Sequence, residues 1–116
     1  MTSTRLAEIP VIFYRTSGGA EPVLDWLRDL PQADRRAIGA DLATVQFGWP
    51  IGMPLCRHLG NGLWEVRSDL PLGRIARVIF CVRNGRMVLL HGFIKKTQKT
   101  PLADREIAMK RMRALA

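Results

Sequence analysis

Between residues 9 and 15, Val11 and Phe13 alternate with Ile12 and Tyr14 in a run of β-branched and aromatic side chains. That pattern predicts a first strand, apolar on both faces. Ser17-Gly18-Gly19 breaks it, and Glu21-Pro22 then sets an acidic residue and a proline where a helix begins. Val23, Leu27 and Leu30, with Leu24 beside them, make one apolar stripe as far as Pro31, while Asp25, Arg28 and Asp29 take the polar side. A second helix is predicted over 32–47, where Ile38, Leu42 and Val45 recur at helical spacing opposite Arg35, Arg36 and Asp41. The two form a helical hairpin. A turn-rich connector follows, from Gly48-Trp49-Pro50 to Met53-Pro54.

Three strands are predicted next, over 62–68, 74–83 and 87–94. Asn84-Gly85 joins the last two as a hairpin, because both residues tolerate the positive φ that a type I′ turn demands. In the middle strand Ala76, Val78, Phe80 and Val82 point one way, and Ile75, Arg77, Ile79, Cys81 and Arg83 the other. The helical hairpin needs an apolar floor, so the Val78/Phe80 face is expected beneath it, with Arg77 on an open face. A final helix is expected over 101–115, with Thr100 as N-cap and Pro101 at the first helical position. Its Leu102, Ala108, Met109, Met112 and Leu115 are expected to dock on the sheet. The expected class is α+β, in the order β-α-α-β-β-β-α.

At 116 residues the chain suits one domain spanning 1–116. No segment approaches the roughly 18 unbroken apolar residues of a membrane span, and residues 1–10 do not read as a secretory signal. A cytoplasmic location with no membrane partner is expected. Cys56 and Cys81 lack paired metal-site spacing and are read as reduced, buried thiols. Charge adds more. Residues 1–60 balance, with six Lys or Arg against six Asp or Glu, whereas 61–116 hold twelve against four and so carry the whole net charge of +8. A cationic half of this kind favours a polyanionic partner, through phosphate contacts and counterion release.

Two stretches carry a family resemblance: Gly62-Leu63-Trp64-Glu65-Val66-Arg67, and His91-Gly92-Phe93-Ile94-Lys95-Lys96-Thr97-Gln98-Lys99-Thr100-Pro101. With Arg74-Ile75-Ala76-Arg77-Val78-Ile79-Phe80 between them, they resemble toxins of the RelE/HigB class, in particular the phage-derived HigB-like members of the RelE/ParE superfamily. The resemblance implies a RelE-like fold, a four-stranded antiparallel sheet with two N-terminal helices on one face and a basic concave site on the other. It also implies the toxin of a type II toxin-antitoxin system, a metal-independent endoribonuclease that cuts mRNA on the ribosome without a cofactor. The implied partner is an antitoxin encoded alongside, often a helix-turn-helix protein. Two other activities remain open: blocking DNA gyrase, as ParE-like members do, or binding RNA or antitoxin without catalysis.

Such cleavage uses the ribose 2′-hydroxyl against the adjacent phosphate, so a base, a cationic cradle and an acid are required. The resemblance matches Arg77 to the arginine that contacts the scissile phosphate, and Arg67 is expected beside it on the open face. Lys95 and Lys96 fall where the family keeps basic active-site residues. His58, just ahead of the Gly60-Asn61-Gly62 turn, stands where a side chain could reach the cleft, as in HigB-like sites that use histidine. His91 reads as a half-buried strand residue. Arg74, Lys99, Lys110, Arg111 and Arg113 are expected to contact RNA or, at the periphery, the antitoxin. Two features depart from the pattern. The only tyrosine is Tyr14, far from the C-terminus where RelE has one, and Glu65 stands where RelE has lysine. Trp26 and Trp64 are read as core, and Trp49 as a loop packing residue. No metal-binding cluster or phosphate-cradling glycine loop is evident.

Overall fold

The computed structural model describes residues 9–50, 55–95 and 99–115. Its elements are β1 (Val11–Phe13), α1 (Pro22–Arg28), α2 (Gln32–Gly48), β2 (Cys56–Gly60), β3 (Leu63–Asp69), β4 (Ile75–Arg83), β5 (Arg86–Lys95) and α3 (Leu102–Arg113). The class is α+β, but the sheet has five strands in the order β1-β5-β4-β3-β2. Two corrections follow. β1 lies parallel to β5, Val11 opposite Met87, so the sheet is mixed rather than antiparallel. An additional strand, β2, pairs antiparallel with β3 through Cys56 opposite Val66 and Arg57 opposite Glu65. It escaped the apolar pattern because it is a short edge strand with Arg57 and His58 exposed.

The meander of β3, β4 and β5 forms as its sequence predicts. Asn84 and Gly85 take φ of 54° and 70°, the left-handed pair that closes a tight hairpin between β4 and β5. Val66, Ala76, Val78, Phe80, Met87 and Leu89 form one apolar floor, and α1 and α2 set Val23, Leu27, Ile38, Leu42 and Val45 upon it. Trp26, Trp49 and Trp64 pack against this core, Trp49 edge-on to both Trp64 and Phe80. Gly92 makes room for α1: a Cβ there would stand 2.4 Å from the Trp26 ring.

The opposite face is not open, as expected from Arg77, but carries a second core. Leu63, Ile79, Cys81, Val88, Leu90 and Phe93 bury there with Ala108 of α3, and Met109, Met112 and Leu115 pack at the margin. Leu102, expected to dock, is instead 69% exposed. Pro101 rather than Thr100 caps α3, with Leu102 the first helical residue. Cys56 and Cys81 are free and buried, one in each core. Burial, with the charge of Glu65 adding to it, pushes the Cys56 thiol up to about 11, and burial likewise raises that of Cys81. No helix among the described residues is long and apolar enough to cross a membrane.

Candidate functional site

Alternation along β3 and β4 sends Glu65 and Arg77 to the face that α3 covers, and both are fully buried. Each reaches the segment that leads into α3. The Thr100 hydroxyl donates to Glu65 Oε2 at 2.5 Å, and Arg77 Nη1 donates to the Lys99 carbonyl at 2.5 Å. Two neighbouring strands thus fix residues 99 and 100 above the sheet. Burial holds the Arg77 guanidinium below its ordinary pKa, with Arg67 and Arg57 adding to the effect and Glu65 and Asp104 opposing it. The Phe93 ring lies 6.0 Å from Arg77 Cζ.

Polar side chains also fasten α3 itself. His91 Nε2 meets Asp104 Oδ1 at 2.6 Å, an ion pair when the imidazole is protonated. Arg105 Nη2 donates to the Leu59 carbonyl at 2.6 Å, and Arg111 Nη1 to the Leu90 carbonyl at 2.7 Å. Where α3 meets the outer strand β2, a pocket of about 280 Å³ opens, lined by Arg57, His58, Leu59, Lys99, Thr100 and Arg105. Three cations from three chain segments border this one cavity. A wider groove of about 610 Å³ runs along Ala37, Ala40, Asp41, Leu55, Arg67, Asp69 and Ile75. Two carboxylates against one arginine suit an anion poorly there, which makes the smaller pocket the candidate site.

The expected site residues are only partly brought together. Arg67 stands opposite Arg77 in register, but it is half-buried and lines the wider groove. Arg77 lies beneath the candidate pocket, not on an open face. Lys99 lines the pocket; Lys95, exposed at the end of β5, does not. Lys96 lies outside the described residues. His58 lines the pocket, with its ring against Trp64 at 4.4 Å between centroids.

Arg74, expected to contact RNA, grips Asp34 of α2 with two hydrogen bonds, Nη1 to Oδ2 at 2.8 Å and Nη2 to Oδ1 at 3.0 Å. Arg111, expected to remain for solvent or a ligand, is half-buried, with Tyr14 5.8 Å from its Cζ. Lys110 and Arg113 are exposed toward the end of α3. Arg57 and Thr100 had no expected site role, and Arg105 was expected only to remain for solvent or a ligand, outside any named site. The Arg57-His58 doublet ahead of a glycine turn was the available signal for the first. Arg105 and Thr100 carried none, since their roles depend on where α3 lies. Among the described residues no three His, Cys, Asp or Glu side chains gather in a way that could hold a metal ion.

The model of a family described as phage derived protein Gp49-like (DUF891) matches residues 25–113. The chain belongs to this family. No curated protein matches it. The Gp49-like match includes every residue that lines the cationic pocket and both buried charges beneath it, and it leaves β1 outside.

Proposed function

We propose that this Gp49-like protein is the toxin of a type II toxin-antitoxin pair and acts as a ribosome-dependent mRNA endonuclease of the RelE/HigB kind. The observation that carries the reading is the convergence of Arg57, Lys99 and Arg105 on one pocket. Cations brought to one pocket by separate elements stabilise a phosphate whose charge grows in the transition state, and Arg105 is held there in advance by its bond to the Leu59 carbonyl. In the proposed reaction the RNA's 2′-oxygen loses its proton and bonds to the adjacent phosphorus. The bond from phosphorus to the 5′ oxygen breaks, and that oxygen takes up a proton. The products are a 2′,3′-cyclic phosphate and a 5′-hydroxyl end.

In this scheme Arg57, Lys99 and Arg105 hold the phosphate, and His58 is the proton-transfer group, an imidazole being suited to that task near neutral pH. Arg77 acts from below as a positioning residue, through its bond to the Lys99 carbonyl. Arg67, Lys95, Lys96, Lys110 and Arg113 extend the cationic surface toward RNA or the antitoxin. The partner is an antitoxin encoded alongside, of the helix-turn-helix type.

Induction of the protein in bacteria, with mRNA 5′ ends mapped before and after, tests the reading. Growth arrest with new in-frame 5′-hydroxyl ends that require translation supports it. Arrest with DNA damage and intact mRNA would replace it with gyrase blockade, and RNA binding without arrest or cleavage with a non-catalytic role.

A further inference from the structure

Beside the cationic pocket lies a second cleft of different chemistry. It measures about 180 Å³, and Leu59, Leu63, Leu102 and Met109 supply its apolar walls, with Asn61 and Glu106 at its edge. The two cavities are neighbours, for Leu59 and Arg105 line both. The Arg105 guanidinium, fixed by its bond to the Leu59 carbonyl, stands on the boundary between them. Leu102 is a large apolar side chain, 69% exposed and outside both cores, at the first turn of α3.

We propose that this cleft is a nucleobase subsite, so that the pocket and the cleft together hold one nucleotide of single-stranded RNA, phosphate on the cations and base against Leu59, Leu102 and Met109. The proposal rests on the reading of the pocket as a phosphate site and names what lies next to that phosphate. A nucleotide joins an anion to a flat, apolar-faced ring with a polar edge. The paired cavities offer the same sequence: cations, then an arginine at the junction, then apolar walls with an amide and a carboxylate at the rim. Aliphatic walls bury the apolar face of a base by the hydrophobic effect, and arginine adds an attraction for the ring face. Phosphate contacts alone would fix position without engaging a base.

The test compares adenosine 5′-monophosphate with ribose 5-phosphate, titrated into the full chain at low salt and followed by amide chemical shifts. The nucleotide is expected to bind about tenfold tighter, the margin that burying one base face against aliphatic walls supplies, with shifts in both cavities; ribose 5-phosphate should move the pocket alone. Leu102→Ser, at an exposed position that the fold does not need, should bring the ratio close to one. Equal affinities in the wild-type protein, or an unchanged ratio in Leu102→Ser, overturn the base subsite and leave the phosphate pocket standing. Failure of ribose 5-phosphate to bind overturns the pocket and the subsite together. The cleavage reading is judged separately, by the mapped 5′ ends.

Discussion

The two faces of the sheet are built on different terms. The face under α1 and α2 is an apolar core with one buried carboxylate, Asp34, gripped by the half-buried Arg74. The face under α3 buries Glu65 and Arg77 beside its apolar cluster and fastens the helix with arginine and histidine side chains. Buried charges make a poor source of stability, because desolvation offsets most of what their attraction returns. The Asp34 carboxylate is matched by Arg74 within its own face, whereas Glu65 and Arg77 hold the segment that lines the cationic pocket, and that face is the place to look for activity.

The largest expected break in this comparison comes from the apolar face. Phe80→Ala should lower unfolding stability by about 3–5 kcal/mol, through lost burial and the cavity left behind, as read from denaturant melts. It should abolish activity only by unfolding the chain.

On the other face, Arg77→Met should destabilise by about 2–4 kcal/mol, because Glu65 stays buried while its cationic neighbour is gone. Glu65→Gln added to it should restore part of that loss. A double mutant no more stable than Arg77→Met would show that the two side chains are not energetically coupled.

Arg57→Ala then separates function from folding. Arg57 is exposed, so stability should change by under about 0.5 kcal/mol, while cleavage in cells should fall on the order of 100-fold, as when one transition-state donor is removed. Undiminished cleavage would take Arg57 out of the cradle.

The smallest effect is one of pH. Hydrogen bonds from Arg74 hold the Asp34 carboxyl below its ordinary pKa. A carboxyl depressed in the folded state adds stability above its unfolded pKa, and that contribution is lost as pH falls through the folded value. Asp34→Asn should therefore lower stability near neutrality and flatten the acid side of the stability profile. An unchanged acid limb would mean the pair contributes nothing.

The same contrast governs how much of the molecule was legible in its sequence. α1 and α2 follow from Val23, Leu27, Ile38, Leu42 and Val45, because an apolar stripe at helical spacing has few other uses. Asn84-Gly85 gives its hairpin for an equally local reason. Arg77 misled, since an arginine in a strand reads as a solvent-facing position. Its neighbours on that face, Ile75, Ile79 and Cys81, held the contrary signal, for three apolar side chains around one arginine describe a buried surface. The candidate pocket was less legible still. Arg57 comes from an edge strand without an apolar pattern, and Arg105 and Thr100 join it only through the docking of α3, which no local spacing encodes. The parallel seat of β1 against β5 likewise depends on pairing residue 11 with residue 87.

That pairing bears on how the chain can be made. Synthesis delivers β1, α1 and α2 before β5, yet part of the surface they require, Met87 and Leu89, belongs to β5. Contacts so distant in sequence close late. The apolar stripe of α1 therefore stays incompletely covered until β5 has been made, whereas α2 can meet β3 sooner. A product released before β5 has neither core complete and no Lys99 or Arg105 at its pocket.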